Sequence, residues 1–322
     1  LIKNGTIIDP ANHIHARNNL LLQDGKVLAT VQDEPEADVV LDAVGKYVCP
    51  GFIDIHMHED PYDPVRDRLI PSIMTSMLRM GVTTAIGGNC GINTVSPIRY
   101  LELMDRDGGP VNMGLLAGHT FLREQAGHLD KYAPITPDAL RRLSGLAQEA
   151  LEAGCFGISF GIRYVPGISM DEMVETARGC RKSGQFIAAH IRDDAAYIFR
   201  AVRELIDVGR ALDLPVQNSH VGSMGGFGQM ERLLAMMDAY RANGMDLSGD
   251  CYPYYAFSTR IGETTYDDGF LERYQTDYSV IEVCEGPYKG HRCTEAIFRT
   301  LRREAPRTIT VCHVMKPEDV DM

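Results

Sequence analysis

Two histidines separated by a single residue, His56 and His58, are the side chains of this sequence best suited to binding a metal. They end the segment PGFIDIHMH at residues 50–58, in which an apolar run follows a Pro-Gly pair. Since residues i and i+2 of an extended strand point to the same face, both imidazoles should project together from the end of a buried strand. Two converging imidazoles supply half of a metal site. For such a pair in isolation, the alternative is two core histidines that are each satisfied by a hydrogen bond.

Three more side chains of the kinds that bind metals, Cys90, His190 and His220, come at or just after the ends of later apolar segments. Imidazole and thiolate ligands together suit a borderline metal, and zinc is the best candidate. Bound zinc would acidify a water molecule and polarise a carbonyl group. The sequence therefore predicts a zinc site built from His56, His58, Cys90, His190 and His220, and a set of buried structural side chains is the alternative.

The elements that must position these side chains follow a regular rhythm from residue 52 onward. Predicted strands recur at intervals of about thirty residues, with one longer interval, and helical segments separate them. The strands are expected to end near His58, Gly88, Gly118, Phe160, His190, His220 and Tyr252. The clearest predicted helices run from Thr136 to Gly154, from Ser169 to Gly184 and from Met230 to Asn243. This series of βα units favours a (β/α)8 barrel of the TIM type, in which active sites lie at the carboxyl ends of the strands.

A doubly wound nucleotide-binding sheet is the alternative fold. Neither GxGxxG nor GxxxxGK[ST], the phosphate-binding patterns of such folds, follows a predicted strand in this sequence. The glycine-rich segment 222–228 fits neither pattern. We predict that this segment is a flexible loop at the active site and not a phosphate-binding loop.

Composition narrows the classes of partner. The chain has 322 residues, a net charge of −12 and eight scattered cysteines without a CxxC pair. The negative charge argues against nucleic acid or an anionic membrane as the main partner, although local arginines can still bind a small anion. Scattered cysteines are typical of reduced thiols in a cytosolic protein. Since there is no apolar stretch of membrane-spanning length and no signal-peptide pattern, we predict a soluble cytoplasmic protein.

Two units and an insertion are predicted along the chain. Residues 1–48 carry short strands and Asn-Gly and Asp-Gly turn signals, which indicate part of a small β domain. Residues 49–322 form the predicted barrel, and the tyrosine-rich segment 253–307 breaks its rhythm as an insertion over the active site. Residues 308–313 read as one more strand, which fits either the eighth barrel strand or the insertion. Both ends of the sequence look cut.

The sequence resembles the amidohydrolase superfamily and, within it, the N-acyl-D-amino-acid deacylases, which include D-aminoacylases and N-acyl-D-glutamate deacylases. The resemblance covers essentially the whole chain. It is carried by the HxH segment at 50–58, GNCG at 88–91, GISFGIRYVPG at 157–167, HIRD at 190–193, Ser219-His220 and DCYPY at 250–254. The Asn-Cys-Gly motif is the discriminating one, because dihydroorotases and hydantoinases bridge two metals with a carboxylated lysine instead.

This resemblance implies a zinc-dependent hydrolase that cleaves the N-acyl amide of small N-acyl-D-amino acids. It implies one tightly bound zinc on Cys90, His190 and His220 and a second, weaker site at His56 and His58. It also implies a small β-sandwich domain and a general-base aspartate in a Ser-Asp-Gly motif. That motif does not occur in residues 1–322, so we expect the aspartate and the eighth strand beyond Met322. Under this assignment, 308–313 belongs to the insertion.

Substrate binding is where the sequence departs from the family. Many relatives carry a His-Lys pair after the histidine of strand six, and this chain has Val221 and Gly222. A substrate carboxylate must therefore be bound elsewhere, and the candidates are Arg163, Arg192, Tyr252 and Arg260. Tyr252 could also donate a hydrogen bond to the developing oxyanion. A cyclic-amide hydrolase of the dihydroorotase or hydantoinase type and a non-catalytic metal-binding barrel remain the alternatives.

Overall fold

The computed structural model describes residues 1–180 and 184–322, and it shows strands alternating with helices. The strands are β1 (Ile2–Asp9), β2 (Ile14–Gln23), β3 (Lys26–Val31), β4 (Leu41–Asp42), β5 (Tyr47–Val48), β6 (Phe52–Asp54), β7 (Tyr62–Asp63), β8 (Arg68–Leu69), β9 (Val82–Gly87), β10 (Asn112–Leu115), β11 (Ala117–Gly118), β12 (Gly157–Gly161), β13 (Phe186–His190), β14 (Val216–Asn218), β15 (Leu247–Gly249), β16 (Phe257–Arg260), β17 (Ile281–Val283) and β18 (Ile309–Cys312). The α-helices are α1 (Ser72–Arg79), α2 (Pro97–Asp107), α3 (His119–Gln125), α4 (Pro137–Glu152), α5 (Met170–Ala177), α6 (Ile198–Leu212), α7 (Val221–Gly225), α8 (Met230–Ala242), α9 (Phe270–Tyr274), α10 (Glu295–Glu304) and α11 (Pro317–Val320).

The first 48 residues form a sheet of short strands. Strands β1, β2 and β3 pair antiparallel, and β4 and β5 add to β1 in parallel. The turn between β2 and β3 contains Asp24 and Gly25, both in the left-handed region. Asp-Gly is a preferred pair for such a two-residue hairpin turn.

Parallel strands make up the central part of the chain. One sheet has the order β10-β9-β6 and another has the order β11-β12-β13-β14-β15. Strands β10 and β11 are separated only by Leu116, so the two sheets join end to end along one interrupted strand. Helices α1, α2, α4, α5, α6 and α8 fall between successive strands, as expected for βα units. The predicted α/β class with parallel strands is confirmed.

A large apolar core lies between these strands and helices. Leu143, Ile158, Phe160, Ile187 and Leu205 are among its fully buried members.

Helices α4 and α5 begin where the sequence predicts. The Thr136 and Ser169 side chains accept hydrogen bonds from the third residue of α4 and α5, at 3.3 Å and 3.1 Å. The predicted end of the second helix near Gly184 is too late: α5 ends at Ala177, and residues 181–183 lie outside the described part of the chain.

A separate small unit follows β15. Strands β16, β18 and β17 form an antiparallel sheet, so the segment 308–313 pairs with the insertion and with none of the parallel strands. Its own core is aromatic and includes Tyr266, Phe270, Tyr274 and Phe298. This unit stands over the carboxyl ends of β13, β14 and β15, where its side chains line the cavity described below.

The glycine-rich segment corrects one expectation. The sequence predicts a flexible loop over 222–228, whereas the structure has the short helix α7 up to Gly225, with all its residues buried, and a turn over 226–228. The glycines allow close backbone packing: a methyl group on Gly226 would lie 2.7 Å from the Gly222 carbonyl oxygen. Ser223 and Met224 of this helix line the cavity.

Candidate metal centre

The loop after β9 holds Cys90 in an unusual conformation. Cys90 has φ 57°, in the left-handed region, and Gly88 on its amino side has φ 77°. A methyl group on Gly88 would lie 1.9 Å from the Leu116 carbonyl oxygen, so only glycine fits. The Asn89 amide donates to the carbonyl oxygens of Ile86 (2.9 Å) and Ile55 (3.3 Å). The Asn-Cys-Gly motif thus ties the turn to the segment that carries the two histidines.

His56 and His58 follow β6 rather than lying in it. The strand ends at Asp54, which corrects the expectation of an extended strand up to His58. The Asp54 carboxylate accepts a hydrogen bond from the His56 backbone N–H at 2.9 Å, which turns the chain out of the sheet. The two rings remain neighbours, with centroids 5.8 Å apart. Met57 between them is buried, and His58 is exposed at the edge of the cavity.

His190 is the last residue of β13, and His220 follows β14. His220 has φ 60°, and its backbone N–H donates to Asp250 at 2.9 Å. The two imidazole centroids lie 4.8 Å apart. Because β13 and β14 are parallel neighbours, their carboxyl ends bring both rings to one edge of the sheet.

Three imidazoles surround the buried Cys90 thiol. Its Sγ lies 3.4 Å from His56 Nε2, 3.2 Å from His220 Nε2 and 3.8 Å from His190 Nδ1. The ligand atoms of His56, Cys90 and His220 all fall within 4.8 Å of one another. The structure therefore brings four of the five predicted ligands into one cluster and places His58 beside it. The trio it draws closest contains His56 and not His190.

The cluster changes the proton affinity of its members. Burial would raise the pKa of the Cys90 thiol, but the charge of His220 and the hydrogen bonds of the surrounding imidazoles outweigh burial and hold the pKa well below its usual range. For His56, burial lowers the pKa, and Asp250 and Cys90 together outweigh it and raise the pKa to about 10. Burial lowers the pKa of His190. The thiolate is the form of cysteine that binds metals, so the surroundings prepare Cys90 for that role.

A cavity of about 400 Å³ opens over this cluster. Its floor is formed by Cys90, His190 and His220, and its wall carries hydroxyl and aromatic side chains. The wall side chains are Tyr164, Ser223, Tyr252, Tyr254, Phe257, Ser258, Thr259, Thr265 and Tyr274. Tyr252 lies with its ring centroid 6.4 Å from that of His220. Burial raises the pKa of Tyr252, so its hydroxyl keeps a proton to donate.

The three arginines predicted to bind a substrate carboxylate do not line this cavity. Arg192 points to Glu204, with Nη2–Oε1 at 2.8 Å, and to backbone carbonyl oxygens. Arg163 bonds the Asp193 carboxylate at 3.2 Å and the Thr265 carbonyl oxygen at 3.2 Å. Arg260 is exposed at the end of β16. Two of these side chains are engaged in internal ion pairs and hydrogen bonds, which the sequence alone could not reveal.

Three residues of the site were not singled out as functional by sequence reasoning. Tyr164 places its hydroxyl 3.3 Å from His190 Nδ1, and Asp250 binds His56 Nδ1 at 2.9 Å. Asp194 lines the cavity and is buried against Arg273 and Tyr274. Tyr164 lies in the motif GISFGIRYVPG and Asp250 in the motif DCYPY. The motifs therefore marked both positions, but they did not indicate what either residue does.

Known proteins resemble this chain in sequence and structure. Residues 47–218 match the amidohydrolase family. D-aminoacylase of Alcaligenes xylosoxydans xylosoxydans is 33% identical over 290 residues, which cover 81% of this chain and 58% of that protein. This chain therefore spans less than two thirds of the length of that relative.

Two solved structures extend the comparison. D-aminoacylase, described with a binuclear metal centre, superposes with a TM-score of 0.84 at 28% identity and covers 99% of this chain and 72% of its own. N-acyl-D-glutamate deacylase from Bordetella bronchiseptica, solved with zinc and a phosphonate mimic of the tetrahedral intermediate, gives 0.82 at 26% identity with the same coverages. The resemblance inferred from the sequence motifs is confirmed by these likenesses.

Proposed function

Because the chain belongs to the amidohydrolase family, we propose that it carries the active site of a zinc-dependent hydrolase that cleaves the N-acyl amide bond of N-acyl-D-amino acids. The observation that carries this proposal is the buried Cys90 thiol at the floor of a cavity, with Sγ within 3.8 Å of a ring nitrogen of His56, His190 and His220. The relatives with this activity in their names support the choice of substrate.

The donor set fits zinc. One thiolate and several imidazoles are its usual ligands in proteins, and their atoms already lie close enough to converge on one ion. We propose Cys90, His190 and His220 as the ligands of the tightly bound ion and His56 and His58 as those of a second, weaker site. His56 Nε2, 3.4 Å from Cys90 Sγ, lies close to the first site as well. Zinc bound there supplies a Lewis acid that polarises the amide carbonyl and acidifies water.

Residues of the chain itself would orient the substrate. Tyr252 stays protonated because of burial and can donate a hydrogen bond to the oxygen on which negative charge develops. The insertion contributes Phe257 and Tyr274 to the wall of the cavity, where they would limit the access of water to the reacting amide. We propose that a general-base aspartate of the kind implied by the resemblance transfers the proton.

A substrate carboxylate would meet hydroxyl groups in this cavity. Ser223, Tyr252, Ser258 and Thr259 all line it. The Ser223 and Ser258 hydroxyls already donate to the carbonyl oxygens of His220 and Thr310, at 3.4 Å and 3.1 Å, which leaves the Tyr252 and Thr259 hydroxyls as the donors for a carboxylate. Arg163 and Arg192 are held outside by Asp193 and Glu204. We therefore propose Tyr252, and not these two arginines, as the residue of the predicted set that binds the substrate.

For the fold, we propose a (β/α)8 barrel with a small β-sandwich domain, divided at residues 48 and 49, and an insertion over 253–307. The parallel pairing within the β10-β9-β6 sheet and the β11-β12-β13-β14-β15 sheet supports the barrel. An open groove of about 550 Å³ separates β6 from the end of β15 and is lined by Phe52, Ile53 and Asp250. Phe52 and Ile53 are 58% and 67% exposed there.

We propose a cytoplasmic location, because all eight cysteines are free, as is typical of a reducing compartment. We propose a small N-acyl amino acid, and neither nucleic acid nor a membrane, as the partner. As a separate finding, within residues 1–180 and 184–322 no helix combines the length and apolar character needed to cross a bilayer.

The alternative of a cyclic-amide hydrolase requires a bridging lysine near the end of the fourth strand. At that position β12 has the sequence Gly-Ile-Ser-Phe-Gly. Ser159 instead accepts a hydrogen bond from the Gly91 backbone N–H at 3.0 Å and supports the Cys90 turn. The residues of β12 thus favour the deacylase.

The experiment combines metal analysis with an activity screen of the full-length protein. We expect one or two zinc ions per chain in the wild type, loss of metal in Cys90→Ala, and retention in Cys293→Ala, a matched control with a buried thiol in the insertion core. The zinc-loaded wild type should hydrolyse N-acetyl-D-methionine or N-acetyl-D-glutamate and leave the L-isomers intact. Zinc-loaded protein that cleaves hydantoin or dihydroorotate instead would contradict the deacylase assignment, and full metal retention in Cys90→Ala would contradict the site.

A further inference from the structure

We infer that Asp250 is a positioning residue of the metal centre, which fixes the His56 ring and the His220 backbone relative to Cys90. This inference rests on the proposed function only in requiring that a metal binds the cluster. It assigns a task to a carboxylate that is not itself placed among the ligands.

The contacts of Asp250 reach both ligands. Its Oδ2 lies 2.9 Å from His56 Nδ1 and its Oδ1 accepts a hydrogen bond from the His220 backbone N–H at 2.9 Å. Gln217 holds the same carboxylate by donating from Nε2 to Oδ2 at 2.7 Å. Each oxygen of the carboxylate therefore contacts one predicted ligand, and the two ligands come from segments more than 160 residues apart in sequence (220 minus 56).

The backbone of Asp250 is also anchored. Its N–H donates to the Asn218 carbonyl oxygen at 3.2 Å, and its own carbonyl oxygen accepts from the Val221 N–H at 2.8 Å. These bonds join the end of β15 to the turn that carries His220. The end of β14 and the turn after it thus fix the Asp250 backbone, and the Asp250 side chain extends from there to His56.

This contact determines which His56 nitrogen faces the metal site. An ionised carboxylate only accepts hydrogen bonds, so Nδ1 carries the proton and Nε2 is left to a metal. His56 Nε2 points to Cys90 Sγ at 3.4 Å, consistent with this arrangement. Metal-binding histidines commonly donate their second ring N–H to a carboxylate, and the partner raises the affinity for the metal.

The same carboxylate stabilises the left-handed backbone of His220. A non-glycine residue at φ 60° is uncommon and persists where its surroundings hold it. The bond from the His220 N–H to Asp250 Oδ1 is such a support, and His220 Nε2 then lies 3.2 Å from Cys90 Sγ. Asp250 accordingly explains why the closest ligand trio is His56, Cys90 and His220.

The test compares Asp250→Asn with Asp246→Asn in the full-length protein. Asp246 directly precedes β15, and Asp250 directly follows it. Because Asp246 is exposed, Asp246→Asn is a matched control. We expect Asp250→Asn to bind zinc about 10–100-fold more weakly and Asp246→Asn to bind it as the wild type does. Cobalt-loaded Asp250→Asn should also show an altered visible absorption spectrum. Unchanged zinc affinity together with an unchanged cobalt spectrum would overturn the inference.

A double-mutant cycle with His56→Ala separates positioning from general damage. If Asp250 acts on the metal through His56, Asp250→Asn should cost less affinity in the His56→Ala background than in the wild type. Fully additive losses would overturn the coupling. Gln217→Met is a second variant, which removes one bond to the carboxylate and keeps every ligand; a smaller loss in the same direction is expected, and no loss counts against the inference. A wild-type protein that binds no zinc would instead contradict the proposed function.

Discussion

At the level of single residues, the candidate site depends on two strained backbone positions. Cys90 and His220 both have positive φ values, and each is a predicted metal ligand. Their surroundings impose this conformation: Asn89 and Gly88 shape the first turn, and Asp250 supports the second. These turns carry the Cys90 and His220 side chains into the cluster, which His190 reaches from the regular end of β13.

Tyr252 gives the sharpest prediction at this level. If its hydroxyl stabilises the oxyanion, Tyr252→Phe should lower kcat by about 10²–10³-fold and leave the zinc content unchanged. Steady-state kinetics with N-acetyl-D-amino acids and metal analysis on the same samples provide the measurement. Tyr255→Phe is the control, because Tyr255 is 46% exposed and bonds Asp321. A kcat close to that of the wild type in Tyr252→Phe would exclude this role.

At the level of elements, the insertion is fastened to the parallel strands by a buried ion pair. Asp194, in the loop after β13, contacts the Arg273 guanidinium and accepts a hydrogen bond from Tyr274 at 2.6 Å. All three side chains are at least 93% buried. Thr264 adds a hydrogen bond to the Arg163 carbonyl oxygen at 2.6 Å. These polar contacts therefore hold helix α9, and with it the insertion, beside the cavity.

Asp194→Ala should destabilise the protein strongly, because it leaves the Arg273 charge buried without its partner. We expect a loss of about 3–5 kcal/mol in the free energy of unfolding, measured by urea denaturation. The control is Asp238→Ala, which breaks the exposed pair between Asp238 and Arg241. Such surface pairs contribute about 0–1 kcal/mol. Equal, small losses of unfolding free energy in both variants would show that the ion pair between Asp194 and Arg273 does not stabilise the insertion.

For the whole molecule, the metal would act as a cross-link. The predicted ligands lie at or after the ends of β6, β9, β13 and β14, so they span residues 56–220 and are far apart in an unfolded chain. Binding therefore favours the native state by mass action. The 12 excess negative charges do not oppose this, since an acidic protein attracts cations.

Saturating zinc should raise the stability of the wild type by about 2.7 kcal/mol at a free concentration one hundred times Kd. The shift is measured by thermal unfolding with zinc and then with a chelator. Cys90→Ala should show a much smaller zinc-dependent shift, and Cys293→Ala should behave as the wild type. A shift of equal size in Cys90→Ala would mean that zinc stabilises the protein from another site.

The sequence by itself determined the α/β class and the chemical types at the strand ends. Both are local signals: alternating apolar and helical segments indicate βα units, and the positions of His56, Cys90, His190 and His220 follow from where those segments end. The sequence also predicted the helix starts at Thr136 and Ser169, because a capping side chain bonds a backbone N–H in the first turn of the helix that it begins. The motifs also carried the resemblance to the deacylases.

Only the tertiary structure decided how these groups face one another. The contact between His56 and Asp250 joins residues 194 positions apart, and the burial of Asp194 against Arg273 spans 79. Arg192 is a further example: the sequence makes it a candidate for substrate binding, and only the structure shows that it bonds Glu204. Residues 222–225 of the glycine-rich segment lie in a buried short helix, which contacts α8 and α11. Orientation, ion pairing and burial depend on contacts between distant segments, and no local pattern specifies them.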